Sequence, residues 1–141
     1  MRIVYQNNDD KDGGENSVAV IVPSPRWSGT IEELAAKVVP DGKAYKIVED
    51  SAVSTDRTFR DAWENYEDIT VSFPKAKEIT KKRLRRERKP LLEEQDILFM
   101  RAVETSQDKS EIVTEKQRLR DITVLADDAT TLDELKGLQA S

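Results

Sequence analysis

The chain has 141 residues, enough for one ordinary domain or a small domain with a helical arm. Hydrophobic residues make up 37% and charged residues 36%, against typical values of roughly 45–50% and 25%, so the core is modest and a deep catalytic cavity is not expected. The absence of both Cys and His excludes disulfides, thiolate nucleophiles, imidazole bases, zinc fingers and the usual triads, leaving carboxylate chemistry, an activated Lys, or binding alone.

Arg2 to Gln6 reads as a first strand and Ser17 to Val22 as a second, joined by the polar loop Asn7 to Asn16. The acidic cluster in that loop lacks the Glu at position twelve that a calcium loop requires, so it reads as a solvated turn. Two prolines, Pro23 and Pro25, break the pattern. Thr30 then caps a helix to Val38, with Glu33 completing a capping box and Ile31, Leu34, Ala35 and Val38 on one side. Pro40-Asp41-Gly42 ends it, and Lys43 to Glu49 alternates as a third strand. The helix is expected to cover the sheet face carrying Val18, Val20 and Val22. In the undecided stretch Ser51 to Asp68, Phe59 and Trp63 are four residues apart and are expected to anchor the linker and close one end of the small core. A ligand-stacking platform is the lesser reading.

From Ser72 onward the periodicity becomes helical. Residues 73–104 read as a long helix, in which Pro90 either makes a kink or starts a second helix. Leu84, Leu91 and Leu98 fall at seven-residue spacing, with Ile79 widening the stripe. After the polar turn Thr105 to Asp108, Glu111 to Thr123 forms a returning helix with Ile112, Leu119 and Ile122 facing inward. A last short helix, Leu132 to Leu138, starts at Thr131. The expected fold class is therefore α+β: residues 1–70 as a small attachment domain with a sheet and one helix, and residues 71–141 as an antiparallel helical hairpin with a short terminal helix. Its seam would be Ile79, Leu84, Leu91, Leu98, Ile112, Leu119 and Ile122.

Charge is unevenly placed. Between Lys75 and Lys89 nine cations stand against two acids, a local balance of +7, while the remainder carries −12. Lys82, Arg83, Arg85, Arg86, Arg88 and Lys89 are the candidate partner-binding residues. Base-reading aromatics are not interleaved with them, which favours pairing with carboxylates, within the chain or on another protein, over nucleic acid. Adjacent acids such as Glu32/Glu33, Glu93/Glu94 and Asp127/Asp128 diverge on a helix and read as solvated surface. No phosphate-cradling or nucleophile-elbow motif occurs. No catalytic, metal or cofactor role is expected. No apolar run approaches the roughly 18–20 residues of a membrane span, and the start turns polar too soon for a signal peptide, so a soluble product made in the cytoplasm is expected.

As an ordered set, Lys75-Ala76-Lys77-Glu78-Ile79, Arg85-Arg86-Glu87-Arg88-Lys89-Pro90-Leu91-Leu92, then Gln95-Asp96, Met100-Arg101-Ala102, Lys116-Gln117-Arg118-Leu119-Arg120-Asp121 and Thr131-Leu132-Asp133-Glu134-Leu135 resembles helical hairpins of tailed-bacteriophage tail-assembly chaperones and tail-fibre-associated proteins. The resemblance covers about residues 73–136. It implies a non-enzymatic virion structural protein, made in the host cytoplasm, tail-associated, and joined to other phage structural proteins and to further copies of itself. An assembly chaperone absent from the finished particle is the first alternative, and a nucleic-acid-binding factor using residues 75–89 the second.

Overall fold

The computed structural model describes residues 1–7 and 16–141, so the acidic loop between the first two strands lies outside the described residues. The chain divides into two compact units between Ser72 and Phe73. The fold is α+β, as the sequence predicts.

The first unit is a five-stranded antiparallel sheet in which the strand at 45–48 is followed across the sheet by those at 2–7, 17–21, 63–64 and 70–71. Its strands are β1 (Arg2–Asn7), β2 (Ser17–Ile21), β3 (Tyr45–Val48), β4 (Trp63–Glu64) and β5 (Thr70–Val71). Helix α1 (Ile31–Val38) connects β2 to β3. β1 is an inner strand paired on both sides, with Ile3 opposite both Ile21 and Ile47, and Val4 opposite Val20 and Lys46. Because side chains alternate between faces, this register creates two separate cores. Ile3 packs with Leu34, Ala35 and Val39, joined by Tyr5, Ile21, Trp27, Ile31 and Ile47. Val4 packs on the other face with Val18, Val53 and Trp63, joined by Val20, Val48, Tyr66, Ile69 and Val71.

The sheet face beneath α1 is therefore the one carrying Ile3, Ile21 and Ile47, and the expectation of Val18, Val20 and Val22 is corrected. Val18 and Val20 face the loop after β3, and Val22, beyond the end of β2, is 60% exposed. The sequence reading missed β4 and β5, two residues each, which are too short for an alternation to register. Helix α1 begins as read. Thr30 Oγ1 accepts the Glu33 amide at 3.2 Å, and Glu33 Oε2 accepts the Thr30 amide at 2.9 Å. Gly29 leaves room for this box, since a Cβ there would press on the Glu33 carboxylate and the Trp27 ring and make one of them shift.

The second unit contains α2 (Phe73–Glu104), α3 (Ser110–Asp128) and α4 (Leu132–Gly137), with α2 and α3 forming the hairpin. α2 continues through Pro90 as one element of 32 residues, about 48 Å long. The turn after it is a Schellman closure. The amide of Gln107 donates to Ala102 O at 2.9 Å and that of Ser106 to Val103 O at 3.3 Å, with Ser106 at φ +54°.

The buried row of α2 consists of Ala76, Thr80, Leu84 and Ala102, and that of α3 of Leu119, Ile122 and Ala126. Leu91, Ile79 and Ile112 are half-buried. Leu98 is corrected out of the seam, being 38% exposed. Cover rather than azimuth sets this: Thr80, eighteen residues or five full turns before Leu98 and so on the same side of α2, is buried, and the segment holding Leu135 and Ala140 is bonded to α2 at Arg83 and Glu87, several turns before Leu98, while Ala102, eighteen residues after Leu84, returns to the side of Leu84. The seam thus runs through Ala102, a small residue that a search for large apolar ones overlooks.

Candidate functional site: the basic helix and its surroundings

Eight of the cations of α2, between Lys77 and Lys89, separate into two sets of four by the side of the helix they occupy. Lys77, Lys81, Arg83 and Arg88 turn toward the rest of the hairpin unit. Lys77 Nζ donates to Asp127 O at 2.8 Å, and Lys81 Nζ pairs with Asp127 Oδ1 at 2.5 Å and Glu78 Oε1 at 3.2 Å. The hydrogen bond to Asp127, with that to Glu78, holds the Lys81 ammonium above its ordinary range. Arg88 Nη1 donates to the carbonyls of Arg120 at 2.8 Å and Leu119 at 3.4 Å, clamping the outside of α3.

Arg83 and Glu87, one turn apart, hold the C-terminal segment. Arg83 Nη1 pairs with Glu87 Oε1 at 2.9 Å while Nη2 donates to Leu135 O at 3.2 Å. Glu87 Oε2 accepts the Ala140 amide at 3.2 Å, and Arg118, anchored by Glu115 at 2.6 Å, donates to Ala140 O at 2.8 Å. Burial alone would raise the Glu87 carboxyl, but the hydrogen bonds from Arg83 and Ala140 outweigh it and hold it below the ordinary range. No sequence motif announces this clip. Its only trace is the i, i+4 spacing of Arg83 and Glu87, which by itself reads as a surface pair.

Lys82, Arg85, Arg86 and Lys89 form the second set. They stand at i, i+3, i+4 and i+7, all exposed, on the side of α2 away from the seam. Among the described residues none of the four takes part in a salt bridge or side-chain hydrogen bond, Arg86 acting only electrostatically on Glu87. The expected pairing with carboxylates is thus met within the chain for Lys81 and Arg83, whereas the outer four remain available. Of the six candidates, Arg83 and Arg88 have structural partners.

Phe59 and Trp63 are both buried. Phe59 precedes a short turn, Arg60–Ala62, and Trp63 lies in β4 within the second sheet core. The guanidiniums of Arg57 and Arg60 lie 5.3 and 4.7 Å from the Trp63 ring centre, so its face is covered by the protein's own cations rather than presented to a ligand.

Glu33 serves the cap of α1, and Asp127 serves Lys81. Where carboxyl groups among the described residues depart clearly from their ordinary range (Asp50, Glu87, Asp108, Glu115, Glu134), they are lowered, each by hydrogen bonds to the charged form. Among the described residues no three potential metal ligands gather, and no helix is long and apolar enough to cross a membrane. An open depression of about 330 Å³ lies in the sheet unit, lined by Gln6, Lys43, Ala44 and Tyr66. The chain matches no family model, no curated protein and no solved structure.

Proposed function

We propose that this chain is a non-enzymatic structural protein of a tailed-bacteriophage particle, tail-associated and acting through protein–protein contacts. The phage assignment rests on the ordered resemblance of residues 73–136. The observation that supports a binding role is the exposed row Lys82, Arg85, Arg86 and Lys89, left without ion-pair partners beside neighbouring cations that have them. Exposed cations grouped in this way form a charged face for a complementary surface. Quantitative mass spectrometry of purified particles tests the reading, with a fixed copy number per particle as the expected result. Presence in infected cells but absence from particles would transfer the assignment to an assembly chaperone, and absence from both would overturn it.

The same row favours a second reading, contact with nucleic-acid phosphates. Its signature would be a steep loss of duplex affinity with salt, flattened by about two units in log–log slope when two of the four cations become Gln.

A further inference from the structure

The outer side of α2 carries a second heptad pattern, distinct from the seam. Ile79, Lys82, Arg86, Lys89, Glu93, Asp96, Met100 and Val103 are spaced alternately three and four residues apart, the spacing of a coiled-coil contact line. Ile79 is half-buried and the others are exposed, with Met100 at 57% and Val103 at 46%. Asp96 gives one oxygen to Lys116 at 2.6 Å and keeps its side chain 60% exposed. Read forward, the line runs apolar, three cations, two acids, two apolar. Read backward against itself, it is complementary.

We propose that this face pairs with the same face of a second copy of the chain, antiparallel about a two-fold axis near Leu91. The layers are then Ile79 with Val103, Lys82 with Met100, Arg86 with Asp96 and Lys89 with Glu93, each occurring twice by symmetry. The four central layers join opposite charges. The two outer pairs of layers cover apolar groups, with the Lys82 stem lying along the Met100 thioether. A parallel, in-register pair would instead stack Lys82, Arg86 and Lys89 on their own copies, so the charge order sets the orientation as well as the partner. A single pair of helix faces buries less than a standard interface, and its central layers are ionic, so the dimer is of modest affinity and sensitive to salt. This rests on the reading of the outer face as a binding surface and names its partner. It is tested on association state, whereas the phage assignment is tested on particles, so the two can fail separately.

The experiment uses the full chain in sedimentation equilibrium across protein concentration and ionic strength. Wild type is expected to dimerise at low salt, with the dissociation constant rising at least about tenfold toward half-molar salt as the charges are screened. Arg86→Glu with Lys89→Glu in one chain, and Glu93→Lys with Asp96→Lys in another, should each be monomeric, because like charges then meet. Their equimolar mixture should form a one-to-one dimer, and a chain carrying all four changes should dimerise as wild type does. Far-UV circular dichroism checks that helicity is retained, and if either two-site variant unfolds, the four-site chain and the wild-type salt series still decide. A monomeric wild type at low salt, two-site variants that dimerise normally, or a mixture that stays monomeric would overturn the pairing. So would a wild-type chain that binds a duplex oligonucleotide as a monomer and loses that binding with Arg86→Glu and Lys89→Glu.

Discussion

The two units solve the same problem with different materials. The sheet unit excludes water with β-branched and aromatic side chains on both faces of β1, and Ile3 and Val4, adjacent in sequence, serve separate cores. The hairpin unit has a narrow buried row in which the small or polar Ala76, Thr80, Ala102 and Ala126 are joined by only a few large residues, Leu84, Leu119, Ile122 and Leu135. Small residues allow close helix approach but release little apolar surface, so polar clips from Lys81, Arg83, Glu87 and Arg88 supply part of the definition. Apolar volume specifies the first unit. Charge placement helps to specify the second.

The largest expected effect lies on the sheet side. Trp63→Ala removes a buried ring that packs with Val4, Val18 and Val53 and supports two guanidiniums, and it should cost about 3–5 kcal/mol. Urea denaturation followed by tryptophan fluorescence from Trp27 and by circular dichroism measures it. A loss below 1 kcal/mol would place Trp63 outside the core.

Next come the hairpin leucines, which differ in how fully the rest of the unit covers them. Leu84→Asp should cost about 3–5 kcal/mol by burying an unpaired charge, whereas Leu98→Asp should cost less than about 1 kcal/mol. Thermal melts of the two variants at equal protein concentration would show the order, and equal destabilisation would return Leu98 to the seam.

Those two leucines also mark how far the sequence could be read. Fold class, the boundaries of α2, and both threonine-led helix starts were legible because caps and 3.6-residue periodicity are local. The face assignment in the sheet was not, because it depends on cross-strand register: Val20 lies opposite Val4, and Ile21 opposite Ile3, only once β1 and β2 are paired. The basic run was visible as charge. Its division into an inner set bonded to α3 and the C-terminal segment and an outer set without ion pairs needed the azimuth of each side chain. The clip of Ala140 by Glu87, 53 residues apart, has no sequence signature because the acceptor acts on a backbone amide.

That clip gives a pH dependence. The folded state lowers the Glu87 carboxyl, so its contribution is present while the unfolded chain's carboxyl would also be ionised, and it is lost as pH falls through the folded value. Stability should therefore decline on acidification below the ordinary carboxylate range, and Glu87→Gln should reduce the size of that decline. At neutral pH the same change should cost about 0.5–1 kcal/mol, since Glu87 is 35% exposed and solvent screens the pair. Urea titrations of both proteins at pH 3 to 7 test this, and an identical pH slope would remove Glu87 from the account.

The smallest effect concerns the turn that allows the hairpin to fold back. Ser106 adopts φ +54°, a left-handed conformation in which its Cβ crowds the backbone, and it does so because the Gln107 amide must reach Ala102 O to close α2. Glycine meets no such crowding, although it also gives up more freedom on folding. The strain relieved exceeds the added entropy cost, so Ser106→Gly should stabilise the hairpin by about 0.5–1 kcal/mol. Ser106→Ala retains the Cβ and should give no such gain, which separates backbone strain from any contribution of the hydroxyl. If glycine and alanine shift the melting temperature equally, the conformation of this residue is not what limits the turn, and the polar neighbours Asp108 and Ser110, hydrogen-bonded to each other at 2.8 Å, would have to set it instead.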